Sequence, residues 1–139
     1  MNKELEQLRR EYNLLGQLIN PSEDEYSFLI EPSDSGSPHV EFVGGEFQYV
    51  VTERGSESDR RSTPEINEIL YWLVNDLVFW MSVNYELKNR IEGQDCRRVM
   101  FAHRLELMER AGQEFADRLS IEIEDTLAVN PFLDQPWSA

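Results

Sequence analysis

Hydrophobic and polar positions alternate along this chain with two different periods. Over residues 3–19, Leu5, Leu8, Tyr12, Leu15 and Ile19 recur at intervals of three and four, one face of an amphipathic helix. Asn20-Pro21 ends it, because the residue before a proline disfavours the α region. The period then shortens to two. YSFLI (26–30), HVEFV (39–43) and EFQYVVTE (46–53) read as strands, with Gly44-Gly45 as a two-residue hairpin loop between the last two. That loop sets Val43 opposite Glu46, Phe42 opposite Phe47, Val40 opposite Tyr49 and Pro38 opposite Val51. Val40, Phe42, Phe47, Tyr49 and Val51 then share one apolar face, while His39, Glu41, Val43, Glu46, Gln48 and Val50 make a mostly polar one. Such a pattern predicts an antiparallel meander covered on one side. RGSESDRRS (54–62) shows no alternation and reads as a polar surface loop.

Ser62-Thr63-Pro64-Glu65 announces a helix: a hydroxyl cap, proline in the first turn, and Glu65 spaced for a capping box with Ser62. The helix is expected from 64 to about 91. Between Ile69 and Val83 it is apolar nearly all round, so other elements must surround it, and Trp72 and Trp80 fall in the core. Gly93 breaks it. A third helix is expected from Asp95 to about Leu119, with Phe101, Leu105, Met108, Phe115 and Leu119 on one face, then a short helix over 121–129 stopped by Asn130-Pro131. The fold class is α+β: an N-terminal helix, a three-stranded antiparallel meander, a long helical hairpin and a short C-terminal helix. The expected organisation is one domain, with helix over 1–20, meander over 21–62, helical part over 63–134 and a tail over 135–139. The sheet's apolar face would lie over the long helix.

Charge narrows the choice of partner. Of 139 residues, 27 are acidic and 13 basic, a net −14. Such a field repels nucleic acid and anionic membrane and speeds association with a basic partner, although it also serves solubility. The acidity is regional. Residues 20–63 hold ten acids against Arg54, Arg60 and Arg61, a net −7, and residues 120–139 hold four acids and no base. A partner-binding surface is therefore sought at Glu23, Asp24, Glu25, Glu53, Glu57 and Asp59, at Glu122, Glu124 and Asp125, and at Trp137 in the proline-containing tail. A single cysteine, Cys96, excludes an internal disulfide framework and suits a reducing compartment. The apolar run 69–83 falls short of the ~20 residues that span a bilayer, and the charged N-terminus lacks a signal-peptide core. A cytoplasmic protein is expected.

The catalytic inventory is thin. His39 and His103 lack a metal partner at ligand spacing, Cys96 lacks an evident base, and neither a glycine-rich phosphate loop nor a nucleophile elbow occurs. No catalytic residue, metal or cofactor is expected. The densest charge is YELKNRIEGQDCRR (85–98), set between two apolar stretches. Glu86 precedes Arg90 by four residues, the favourable order for a helical ion pair. Asp95 sits where a helix N-cap belongs, with Arg98 three residues on. Arg90 and Arg97 could reach across the turn between antiparallel helices. These pairings make Tyr85, Glu86, Arg90, Asp95, Arg97 and Arg98 a structural latch, rather than an acid/base pair or a binding surface.

The stretch EILYWLVNDLVFWMSVNYELKNRIEGQDCRRVMFAHRLELMER, with PFLD near the end, resembles the bacterial immunity proteins of polymorphic toxin systems, specifically the family numbered sixty-three. The resemblance spans about 65–134. Tyr85-Glu86, Arg90 and the string Asp95, Arg97, Arg98, Phe101 carry it, and Cys96 stands where the family more often has a larger apolar residue. It implies a cytoplasmic, non-enzymatic protein that binds and neutralises a cognate secreted or contact-delivered toxin, itself expected to present a basic surface or active-site rim. An acidic secretion chaperone is the alternative the composition leaves open. The motif residues carry over as scaffold, not as catalysts.

Overall fold

A computed structural model describes residues 2–33 and 35–135. In chain order it contains α1 (Lys3–Ile19), β1 (Ser35–Val43), β2 (Glu46–Glu53), β3 (Ser56–Thr63), α2 (Ile66–Lys88), α3 (Cys96–Ala111) and α4 (Gln113–Val129). The fold is α+β: an N-terminal helix, a three-stranded antiparallel sheet of order β1-β2-β3, and three helices. The chain divides into two compact units, one ending at Val74 and the other starting at Asn75, so the division falls inside α2. Among the described residues no helix is long and apolar enough to cross a membrane.

In the first unit, α1 buries Leu5, Leu8, Tyr12 and Ile19 along the stripe its periodicity announces. Asn2 caps its start, accepting from the Leu5 N–H at 2.8 Å. The β1–β2 register agrees with the expected one, with Phe42 opposite Phe47, Val40 opposite Tyr49 and Pro38 opposite Val51. The third strand is not the expected one. YSFLI forms no strand: Tyr26 stacks on Tyr12 at 5.2 Å, and the Leu29 carbonyl meets β1, accepting from the Val40 N–H at 2.9 Å. Its aromatic rings gain more from α1 than from a ladder.

RGSESDRRS instead supplies β3, which pairs with β2 from Glu53–Ser56 to Phe47–Thr63. Arg54 and Gly55, both at positive φ, form the two-residue turn. A strand can carry this much charge because it lies at the sheet's edge, where charged side chains also discourage pairing with another chain. Nor is the sheet covered on one face only. Val40, Phe47 and Tyr49 are buried, but so are His39 and Val50 on the face expected to be polar. Cover comes from more than one direction: Tyr49 meets Trp72 of α2 edge-on at 6.1 Å, and α1 lies against β1.

The helix starts and stops also differ in detail. Ser62 turns to Gln48 across the sheet, and the Thr63 hydroxyl accepts from the Glu65 N–H at 3.1 Å in the turn that leads into α2. Trp80 is half exposed, not a core residue. In the second unit α3 stops at Ala111 rather than near Leu119, because Gly112 adopts φ 146°, a conformation that L side chains rarely enter. The expected short helix is therefore the 17-residue α4, which buries Ala116, Leu119 and Ile123.

Candidate functional site

The 85–98 segment spans the last turn of α2, the loop at Gly93 and the start of α3. On α2, the Arg90 guanidinium donates through Nε and Nη2 to the two Glu86 carboxylate oxygens, at 3.0 and 2.8 Å. Glu86 is buried, and this bidentate bond holds its carboxyl below the ordinary carboxylate range. Tyr85 lies flat on His103 of α3, with ring centroids 3.9 Å apart, so an aromatic stack rather than an ion pair joins the two helices here.

Asp95 organises the other half. Its Oδ1 accepts from the Arg97 N–H at 2.9 Å, the N-cap of α3. The Arg97 side chain bonds back to the same carboxylate, with Nη2 to Oδ2 at 2.8 Å, and the Leu133 N–H donates to Oδ2 at 2.9 Å. The Arg97 guanidinium, followed by these two backbone donors, holds the Asp95 carboxyl well below the usual range. Arg97 does not reach back across the turn to α2. It reaches forward, donating to the Asn130 and Pro131 carbonyls at 2.9 and 2.8 Å. Arg98 pairs with Asp134 at 2.9 Å, whose Oδ1 also accepts from the Asp95 N–H. That arrangement lowers the Asp134 carboxyl, Arg98 being the larger cause. Phe132 closes the group, with the Arg98 guanidinium 4.3 Å above its ring and Phe101 6.1 Å away.

The arginines of the DCRR string thus clamp residues 130–134, Asn130 and the PFLD segment that follows it. Local spacing did not connect the two: Arg97 lies 33 residues from Asn130. The one available signal was that both strings recur together in the family resemblance. Cys96, between Asp95 and Arg97, is an exposed free thiol.

The acidic candidates divide by what they touch. In the first unit Glu25 accepts from the Ser22 N–H at 2.9 Å, closing the turn after α1, while Glu23 and Asp24 are exposed. On β3, Glu57 pairs with Arg60 and Asp59 with Arg61, and Arg60 further bridges to Glu41 of β1. Arg61 also lies over the Tyr49 and Trp72 rings, at 4.3 and 4.9 Å. Glu53 is exposed at the end of β2. In the second unit Glu122 pairs with Arg118, while Glu124 and Asp125 are exposed on α4. Trp137 lies outside the described residues.

A model of the immunity protein 63 family matches residues 44–125, and the chain belongs to that family. The match starts at the β1–β2 turn, earlier than the resemblance near residue 65, and stops at Asp125, before the clamped segment. Membership implies neutralisation of a toxin, and immunity proteins are typically non-enzymatic binders. Neither the curated proteins nor the solved structures contain a match.

Proposed function

We propose that this chain binds one cognate toxin domain stoichiometrically and neutralises it in the cytoplasm, the toxin being one that is secreted or delivered by contact. The family match over residues 44–125 carries the reading. Two features support it. Glu86, Arg90, Asp95, Arg97 and Arg98 are engaged with one another and with residues 130–134, which suits them and Tyr85 as scaffold. The net charge of −14 suits a partner with a basic surface or active-site rim. Among the proposed contact residues, Glu25, Glu57, Asp59 and Glu122 already serve internal bonds. Glu23, Asp24, Glu53, Glu124 and Asp125 are the stronger candidates.

The test is a titration of the purified toxin domain encoded by the neighbouring reading frame. Its activity should fall linearly with added protein and reach its floor at a fixed molar ratio. Protection at a small fraction of that ratio would mean turnover, and the binding mechanism would have to be abandoned.

A further inference from the structure

The outward face of α4 differs from the charged surfaces of β3 and of the 85–98 segment. Opposite its buried residues Ala116, Leu119 and Ile123 stands Ile121, which is 59% exposed. Glu114 and Asp117 lie seven and four residues before it, and Glu124 and Asp125 three and four after it, so helical spacing places all four carboxylates around one apolar side chain. All four are exposed. Val129, 78% exposed, extends the apolar surface towards the helix end. The helix has one base, Arg118, and it pairs with a fifth carboxylate, Glu122. Among the described residues, no ion pair engages Glu114, Asp117, Glu124 or Asp125. Asp117 accepts only from the neutral Gln113 amide, at 2.7 Å.

This face works against the helix that bears it. Glu114, in the first turn, suits the helix dipole but repels Asp117 one turn on, while Glu124 and Asp125 lie towards the C-terminus, the end that disfavours carboxylates. The last turn contains no base to offset them. On β3 and at the start of α3, by contrast, carboxylates are answered, as Glu57 is by Arg60 and Asp95 by Arg97. Local charge placement that costs stability without an internal partner is expected where a surface serves binding. An apolar centre ringed by charge also has the anatomy of an interface core and rim.

The occupant follows from charge. A second copy of a chain carrying −14 would be repelled, as would nucleic acid or an anionic membrane. We infer that the outer face of α4, centred on Ile121, docks a basic protein surface that presents an apolar socket between its cations. The inference rests on the proposed neutralisation and makes that partner the cognate toxin domain. The carboxylate ring accelerates encounter, and Ile121 holds the complex once formed.

The experiment compares wild type with Ile121→Ala and with the quadruple variant E114Q/D117N/E124Q/D125N, using the toxin domain of the neighbouring reading frame as probe. Both variants change exposed side chains, and circular dichroism and thermal melting verify their folding. The quadruple variant should lower the association rate at low salt about tenfold or more, the difference shrinking as salt is added. Ile121→Ala should raise the dissociation rate roughly 30-fold, as a buried interface anchor does. Wild-type rates in both folded variants would overturn the inference while leaving neutralisation intact. So would a rate loss confined to changes at Glu23 and Asp24. If wild type fails to bind or inhibit the probe, the neutralisation reading falls and this surface assignment falls with it.

Discussion

The clamp around Asp95 and the outer face of α4 lie in the same unit, the first with two carboxylates and the second with four, and they use them in opposite ways. At the clamp, Asp95 accepts from the Arg97 backbone and side chain and from Leu133, and Asp134 accepts from Arg98 and the Asp95 N–H. On α4 the carboxylates around Ile121 are exposed and, among the described residues, take part in no ion pair. Charge met by internal partners fixes geometry, since each bond constrains the segments it joins. Charge left unanswered raises the energy of the isolated protein and is relieved by something that binds. The distinction separates scaffold from surface, which charge density alone does not do.

Substitutions should therefore act on stability with opposite signs. The largest effect is expected at Asp95→Ala, which removes the cap of α3 and the acceptor for Arg97 and Leu133. It should cost about 2 kcal/mol, read as a lower urea midpoint with an unchanged slope. Unchanged unfolding with lost toxin binding would break the comparison and move the clamp into the interface. Acid should reveal the same group. Arg97 holds the folded Asp95 carboxyl below its unfolded value, so its stabilisation is complete above about pH 4 and drains away as pH falls towards the folded value. Asp95→Asn should flatten that acid limb of the stability curve and leave the neutral limb parallel to wild type. A limb as steep as wild type would assign it to other carboxylates. The smallest effect is expected at E124Q/D125N, which should leave the melting temperature unchanged or raise it slightly. A clear fall would show that these carboxylates have an internal role after all.

Legibility from sequence followed the range of the interaction. The α1 stripe, the β1–β2 register set by Gly44-Gly45, the Glu86–Arg90 pair and the Asp95 cap depend on neighbours within a few residues or on one turn. All of them were readable. The rest was set by partners far along the chain or by single backbone conformations. β3 lacks the alternation that marks a half-buried strand, and its pairing is stabilised by contacts such as Arg61 over Tyr49 that only the folded sheet supplies. YSFLI has strand-like composition but spends its aromatics on Tyr12. Gly112 sits inside a helical periodicity that continues on both sides, and one glycine costs a helix only about 1 kcal/mol, so composition alone did not mark the break. For the candidate surface, net charge showed which regions were acidic. Which carboxylates were already paired could be learned only from the structure.

The bonds between Asp95 and Asp134 join positions 39 residues apart, and with Gly112 at the opposite end they make α3 and α4 into a closed ring. In chain-statistical terms, holding the ends of such a stretch together opposes a closure entropy on the order of 3 kcal/mol. Small secreted domains often meet that cost with a disulfide. A chain with one cysteine meets it here with guanidinium, carboxylate and backbone groups, a staple that glutathione does not reduce and that can re-form after each opening. Deleting the chain from Asn130 onward would therefore open a ring rather than trim an end.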